Sequence, residues 1–135
     1  MKESNPEYLK QWLIKANENI AVIIELSSEH PETYCSAISF HSQQAIEKFL
    51  KAFLVVHKKE FERTHDMDFL LAECMTIDKL EFEELDMKNI SDYAVTVRYP
   101  DDFLIPSVPD ALDHKEIALL VKEIVERKIS GFSQK

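Results

Sequence analysis

One residue type is almost missing from this chain: glycine occurs once in 135 residues, as Gly131. Tight hairpins between strands need residues at positive φ, which glycine adopts at least cost. The sequence therefore disfavours a sheet with many hairpins and indicates helices joined by a few loops. The hydrophobic content of 45% is too high for a disordered chain, and the length suits a single domain over residues 1–135.

Apolar residues recur at helical spacing in several parts of the chain. We predict five helical segments: from about Pro6 to Ser28, from after Pro31 to about His57, from Thr64–Asp66 through Cys74, from Glu81 to Arg98, and from about Asp110 to a C-terminal cap at Gly131. The end of the fourth segment, YAVTVRY, is also typical of a strand, but such a strand would have no partner, so we favour a helix. The pattern predicts an all-α fold, an up-and-down antiparallel bundle of four to five helices.

The formal net charge is −9, which disfavours nonspecific attraction to phosphate backbones but leaves room for a local basic stripe. Cys35 and Cys74 have no paired spacing, so we predict free thiols in a reducing cytoplasm. The first ten residues, MKESNPEYLK, do not resemble a signal peptide. No apolar run approaches the roughly 20 residues of a membrane span. We therefore expect a cytoplasmic protein without a membrane partner.

The stretch FHSQQAIEKFLKAFLVVH in the second segment carries an unusual set of polar residues. At about 100° per residue, His41, Gln44 and Lys48 share a band beside the core face, with Lys51 at its outer edge. One interpretation is a ligand-facing band, in which histidine and lysine meet an anion and Gln44 bonds a base edge or ribose. The alternative is a solvated face with snorkelling lysines, where Glu47 and Lys51 form an i, i+4 pair.

Three apolar residues of the same segment, Phe40, Leu54 and Val55, lie outside the core arc that its other apolar residues define. A helix that is apolar on more than one side is buried on more than one side. Other helices or a second copy of the chain could cover this surplus. We favour a symmetric homodimer with the second helix near its seam.

Three stretches resemble one known family. FHSQQAIEKFLKAFL has its second-helix pattern, RTHDMDFLL resembles its Thr-His-Asp-Leu step into the third helix, and YAVTVRYPDD resembles its Tyr…Arg-Tyr-Pro ending. In this order they resemble a HEPN domain, named for higher eukaryotes and prokaryotes nucleotide-binding. The resemblance implies a small prokaryotic bundle that dimerises. It also implies a minimal nucleotidyltransferase partner, with the HEPN protein as toxin or substrate-binding subunit of a toxin–antitoxin pair.

Many members of this family are metal-independent ribonucleases, with an arginine followed by a histidine after four to six residues. The arginines here are Arg63, Arg98 and Arg127, and no histidine follows any of them at that spacing. After Arg98 the corresponding positions hold Phe103, Leu104 and Ile105, which cannot transfer a proton. We therefore predict no catalytic residues of the standard ribonuclease type, and only His41 or His65 could substitute from another helix.

The remaining residues suggest no further chemistry. His65, Asp66 and Asp68 lack the converging ligands of a metal site, and Thr64 or Asp66 is interpreted as a helix cap. We predict no metal and no cofactor, and we assign no chemistry to His30, His57 or His114.

The sequence thus favours a non-catalytic binding protein for a nucleotide or an RNA end. The candidate ligand-binding residues are His41, Gln44, Lys48, Lys51 and Arg98. The alternatives are a ribonuclease toxin with a degenerate motif and a pure interaction or dimerisation module.

Overall fold

The computed structural model describes residues 6–93 and 105–133. Over these residues the chain forms four α-helices: α1 (Pro6–Ser27), α2 (Cys35–Val56), α3 (Met67–Ile77) and α4 (Val108–Ser133). Short 3-10 turns lie at Pro31–Thr33, Phe82–Glu84 and Ile90–Tyr93, and neither described range contains a strand. The predicted all-α helical bundle is confirmed.

Helix α2 is the centre of the bundle, since α1, α3 and α4 all pack against it. The core face of α2 includes Ile38, Ala45, Phe49 and Ala52, which are fully buried. Phe53 completes this face and stacks edge-on against Phe82, with ring centroids 5.1 Å apart. The residues of the predicted band therefore lie on the central helix of the bundle.

The apolar surplus of α2 is covered largely within one chain. Leu54 and Val55 have exposed fractions of 0% and 1%, while Phe40 stays half-buried. A second copy is therefore not needed to bury Leu54 and Val55. The homodimer stays a prediction.

The predicted fourth helix is wrong over residues 81–93. Two residues in this segment have positive φ angles, Glu81 at 71° and Lys88 at 51°, which no right-handed α-helix accommodates. The side chains of Asp78 and Asp86 accept hydrogen bonds from the amides of Leu80 and Lys88, and such local bonds favour turns over helix. The rest of the predicted segment, with the YAVTVRY ending after Tyr93, lies outside the described residues.

The predicted cap at Gly131 is also wrong, because α4 continues through this residue to Ser133. A left-handed helix end occurs instead after α2, where Lys58 has φ 57°. The amide of Lys59 donates to Leu54 O at 2.9 Å and that of Lys58 to Val55 O at 2.9 Å. This pair of bonds is a Schellman motif with lysine at the position that glycine usually fills.

The start of α3 agrees with the prediction. The amide of Phe69 donates to Asp66 Oδ1 at 3.1 Å, so Asp66 caps the helix. Cys35 and Cys74 are free, as predicted, and both are buried. Within the two described ranges, no helix has the length and apolar character that a membrane span requires.

Candidate functional site

The four α2 residues of the predicted band, His41, Gln44, Lys48 and Lys51, are called the cationic band below. Two of them make contacts with α1. His41 Nδ1 lies 2.8 Å from Asn19 Oδ1, and Lys51 Nζ lies 5.2 Å from the ring centroid of Trp12. The band therefore lies along the interface of α1 and α2 rather than on an open face.

The antiparallel course of α1 and α2 explains which residues meet. A short connection joins the two helices, so residues equally far from it lie opposite each other. Asn19 and His41 form the pair nearer to the connection, and Trp12 and Lys51 form the pair farther from it. The sequence analysis missed Trp12, Lys15 and Asn19 as neighbours of the band, although this pairing rule could have found them.

His41 is half-buried, and its protonated form is disfavoured. Burial lowers the pKa of this imidazole, and the charge of Lys48 lowers it further. Asn19 Nδ2 donates to Lys15 O, so Asn19 Oδ1 accepts the Nδ1–H of His41. At neutral pH, Nε2 is consequently a hydrogen-bond acceptor for a hydroxyl or amino group, and His41 does not supply the positive charge that the sequence analysis expected of it.

Lys48 is half-buried and lies near a second lysine. Burial lowers the pKa of its ammonium, and repulsion from Lys15 on α1 lowers it further, against the opposing influence of Glu47 and Glu18. The charge of an ammonium group on α1 thus disfavours the charged form of Lys48 on α2. Gln44 is also half-buried and lies between His41 and Lys48 along α2.

Lys51 is not the solvated side chain that the alternative interpretation required. It is 7% exposed, its ammonium lies over Trp12, and burial lowers its pKa. Such a desolvated cation interacts strongly with any anion that reaches it.

Glu47 is a buried acid that sequence reasoning treated only as a helix former and a partner of Lys51. It is 1% exposed, and its Oε2 accepts a hydrogen bond from His65 Nδ1 at 3.2 Å. Burial raises its pKa, while His65, Lys51 and Gln43 oppose that rise. Glu47 Oε1, Gln43 Oε1 and Trp12 Nε1 are buried without a hydrogen-bond partner.

The charges along this interface nearly balance. Lys15, Lys48 and Lys51 bring three positive charges, and Glu18 and Glu47 bring two negative charges, which leaves one positive charge locally. The whole chain carries −9, so these lysines belong to an acidic molecule. Arg98, the fifth predicted ligand-binding residue, lies outside the described residues, and its relation to His41 is untested.

The helical fold and the polar interface between its first two helices define the class of protein: an all-α bundle with a basic band on its central helix. The family model of the HEPN domain matches residues 9–130, and the chain belongs to the HEPN domain family. This membership indicates a function related to nucleotides or RNA. No curated protein and no solved structure gave a significant match.

Proposed function

We propose that this protein binds a nucleotide or an RNA end through His41, Gln44, Lys48, Lys51 and Arg98, without catalysis of its own. The observation that carries the proposal is the placement of two desolvated lysines, half-buried Lys48 and buried Lys51, along one helix interface of an acidic chain. The nearby carboxylates of Glu47 and Glu18 do not restore the ordinary pKa of these lysines, and a bound phosphate would compensate their charges further.

The neighbouring groups suit the other parts of a nucleotide. Neutral His41 presents Nε2 as an acceptor for a ribose hydroxyl or a base amino group, and the Gln44 amide both donates and accepts. The lysines are suited to phosphate. Arg98, if it faces this band, adds a bidentate phosphate contact.

Calorimetric titration with ATP, AMP and a short RNA tests the binding. We expect heat with at least one of these ligands and a loss of about tenfold in affinity in Lys48→Gln, because one phosphate contact contributes roughly 1–2 kcal/mol. Lys88→Gln is the matched control, since Lys88 is an exposed lysine that pairs with Asp113 at 3.4 Å, away from the band. Flat traces with all three ligands, or equal losses in both variants, would contradict the proposal.

The partner is proposed from the resemblance of the three sequence stretches: a minimal nucleotidyltransferase in a toxin–antitoxin-like pair. Co-purification from the native host, followed by mass spectrometry, tests it. A partner recovered together with flat ligand traces would favour the pure interaction module instead. RNA cleavage by the purified protein that is lost in Arg98→Ala would favour the ribonuclease with a degenerate motif.

The homodimer is proposed on the same resemblance, together with the half-buried Phe40 on α2. Light scattering after size exclusion measures its mass. A mass of about 31 kDa, twice that of one 15.7 kDa chain, is expected, whereas a single-chain mass across a range of concentrations would exclude the dimer.

A further inference from the structure

Lys51 cannot contact a ligand in the conformation described above, because only 7% of it is exposed. If the proposed binding function is correct, something next to Lys51 must move. Trp12 lies beside it on α1, and the segment of residues 58–66 contacts both Trp12 and Glu47. We propose that this segment, the 58–66 lid, opens to admit a phosphate-bearing ligand to Lys51, and that the hydrogen bond between His65 and Glu47 holds it closed.

Two contacts join the lid to the residues around Lys51. The first is the bond from His65 Nδ1 to Glu47 Oε2, between a histidine side chain that is 80% exposed and a carboxylate side chain that is 2% exposed. The second is the packing of Phe61 on Trp12, with ring centroids 6.4 Å apart and the rings tilted by 57°. The exposed histidine thus forms a hydrogen bond to a buried acid, and Phe61 packs on the ring over which Lys51 lies.

The ends of the lid are fixed, while its middle has no regular structure. Lys58 and Lys59 are tied to the end of α2 by the Schellman bonds, and Asp66 caps α3. Residues 59–66 between them form neither helix nor strand. Segments with few buried apolar contacts and few backbone hydrogen bonds open at low free-energy cost, independently of the rest of the fold.

The groups beneath the lid favour an opening. Glu47 Oε1, Gln43 Oε1 and Trp12 Nε1 have no hydrogen-bond partner when the lid is closed. Water that enters can donate to the two oxygens and accept from the indole N–H, which offsets part of the cost of the lost contacts. Only the open form accepts ligand. The apparent affinity is therefore the affinity of the open form multiplied by the fraction of molecules that are open.

The experiment measures the lid without any ligand. The folded protein is acetylated briefly with an amine-reactive ester, and the rate of modification of Lys51 is measured by mass spectrometry relative to that of exposed Lys88. We expect His65→Ala to raise the relative rate at Lys51 at least about fivefold. Loss of the hydrogen bond between His65 and Glu47 should increase the fraction of molecules in which the lid is open. Phe61→Ala should act in the same direction.

The matched control is His30→Ala. It removes a similar contact, His30 Nδ1 to Glu32 Oε1 at 3.3 Å between two exposed side chains, and should leave the rate at Lys51 unchanged. Alkylation of Cys74, which is 0% exposed, reports global unfolding in the same samples. The proposal that the lid opens would be contradicted if the Lys51 rate is unchanged in both lid variants. It would also be contradicted if the Lys51 rate rises only together with that of Cys74. Either result leaves the binding proposal to be decided by the titrations.

Discussion

His114 on α4 is fully buried and is tied to Ser39 on α2, with 2.7 Å between Nδ1 and the serine Oγ. The other ring nitrogen, Nε2, lies 2.8 Å from Asn89 Oδ1. An amide oxygen only accepts, so Nε2 carries the hydrogen and Nδ1 accepts the hydrogen of the Ser39 hydroxyl. The sequence offered no reason to assign chemistry to this histidine, and the structure places it in the core. It joins α2, α4 and the segment after α3.

Replacing His114 should destabilise the bundle strongly. His114→Ala removes two hydrogen bonds, leaves the Ser39 hydroxyl and the Asn89 carbonyl without their partner, and opens a cavity beside Tyr93, whose ring centroid is 5.4 Å from that of His114. We expect a loss of about 3 kcal/mol in the free energy of unfolding, measured by urea denaturation. Exposed His30→Ala is the control and should change it by less than about 0.5 kcal/mol. Similar losses in both variants would show that the hydrogen bonds of His114 with Ser39 and Asn89 contribute little to the free energy of unfolding.

The same histidine should make the protein less stable in mild acid. Burial lowers the pKa of His114 in the folded state, so between that pKa and the usual value near 6.5 the unfolded chain binds a proton that the folded chain does not. The stability contribution is therefore complete above about pH 6.5 and is lost as the pH falls through the lowered pKa. Burial lowers the pKa of His41 and His57 with the same sign.

Urea denaturation at pH 7.5, 6.5 and 5.5 measures this dependence. We expect the free energy of unfolding to fall with pH in the wild type and to fall less in His114→Gln, which cannot be protonated. Glu47 acts in the opposite direction, because its raised pKa makes the folded state bind the additional proton. A slope identical in the wild type and in His114→Gln would show that His114 contributes nothing to the acid sensitivity.

The helices were predictable where periodic apolar positions and strong end signals coincided. Asp66 caps α3 as the sequence indicated, and α2 (Cys35–Val56) lies within the segment that its apolar spacing predicted. The helix prediction for residues 81–93 was wrong because the apolar spacing of this segment resembles that of a helix. The turns that form instead depend on the positive φ angles of Glu81 and Lys88. Glutamate and lysine at those two positions do not predict a positive φ, because glycine and asparagine are the usual residues with that conformation.

For the cationic band, the sequence predicted which residues of α2 lie together but not which residues of other elements contact them. Helical spacing placed His41, Gln44, Lys48 and Lys51 together, because all four lie on one helix. Burial of Lys51 and the partners of Glu47 depend on α1 and on the 58–66 lid, and helical periodicity within α2 carries no information about these elements. This is why an apparent surface pair, Glu47 and Lys51, consists of two buried ionisable residues.

Lys58→Gly should stabilise the protein. Lys58 occupies the left-handed position of the Schellman motif after α2, with φ 57°, where a side chain with a Cβ costs about 1 kcal/mol relative to glycine. We expect a rise of about that size in the free energy of unfolding, seen as a higher midpoint in urea. Lys59→Gly, one residue further on, is the control and should be neutral or destabilising. A lower midpoint for Lys58→Gly would mean that the lysine side chain makes a contact that outweighs the backbone gain.

The thiol of Cys74 should react only when the bundle unfolds. Cys74 is 0% exposed, and burial raises its pKa to about 12, so at pH 8 the reactive thiolate is scarce as well as covered. Its Sγ also contacts Leu50 O on α2 at 3.5 Å, which makes it a probe of the contact between α2 and α3. In a Cys35→Ser background, Cys74 is then the one thiol of the chain. Its labelling with Ellman's reagent at increasing urea should follow the unfolding transition measured by circular dichroism. Rapid labelling without urea would show instead that α3 detaches from α2 while the rest of the bundle stays folded.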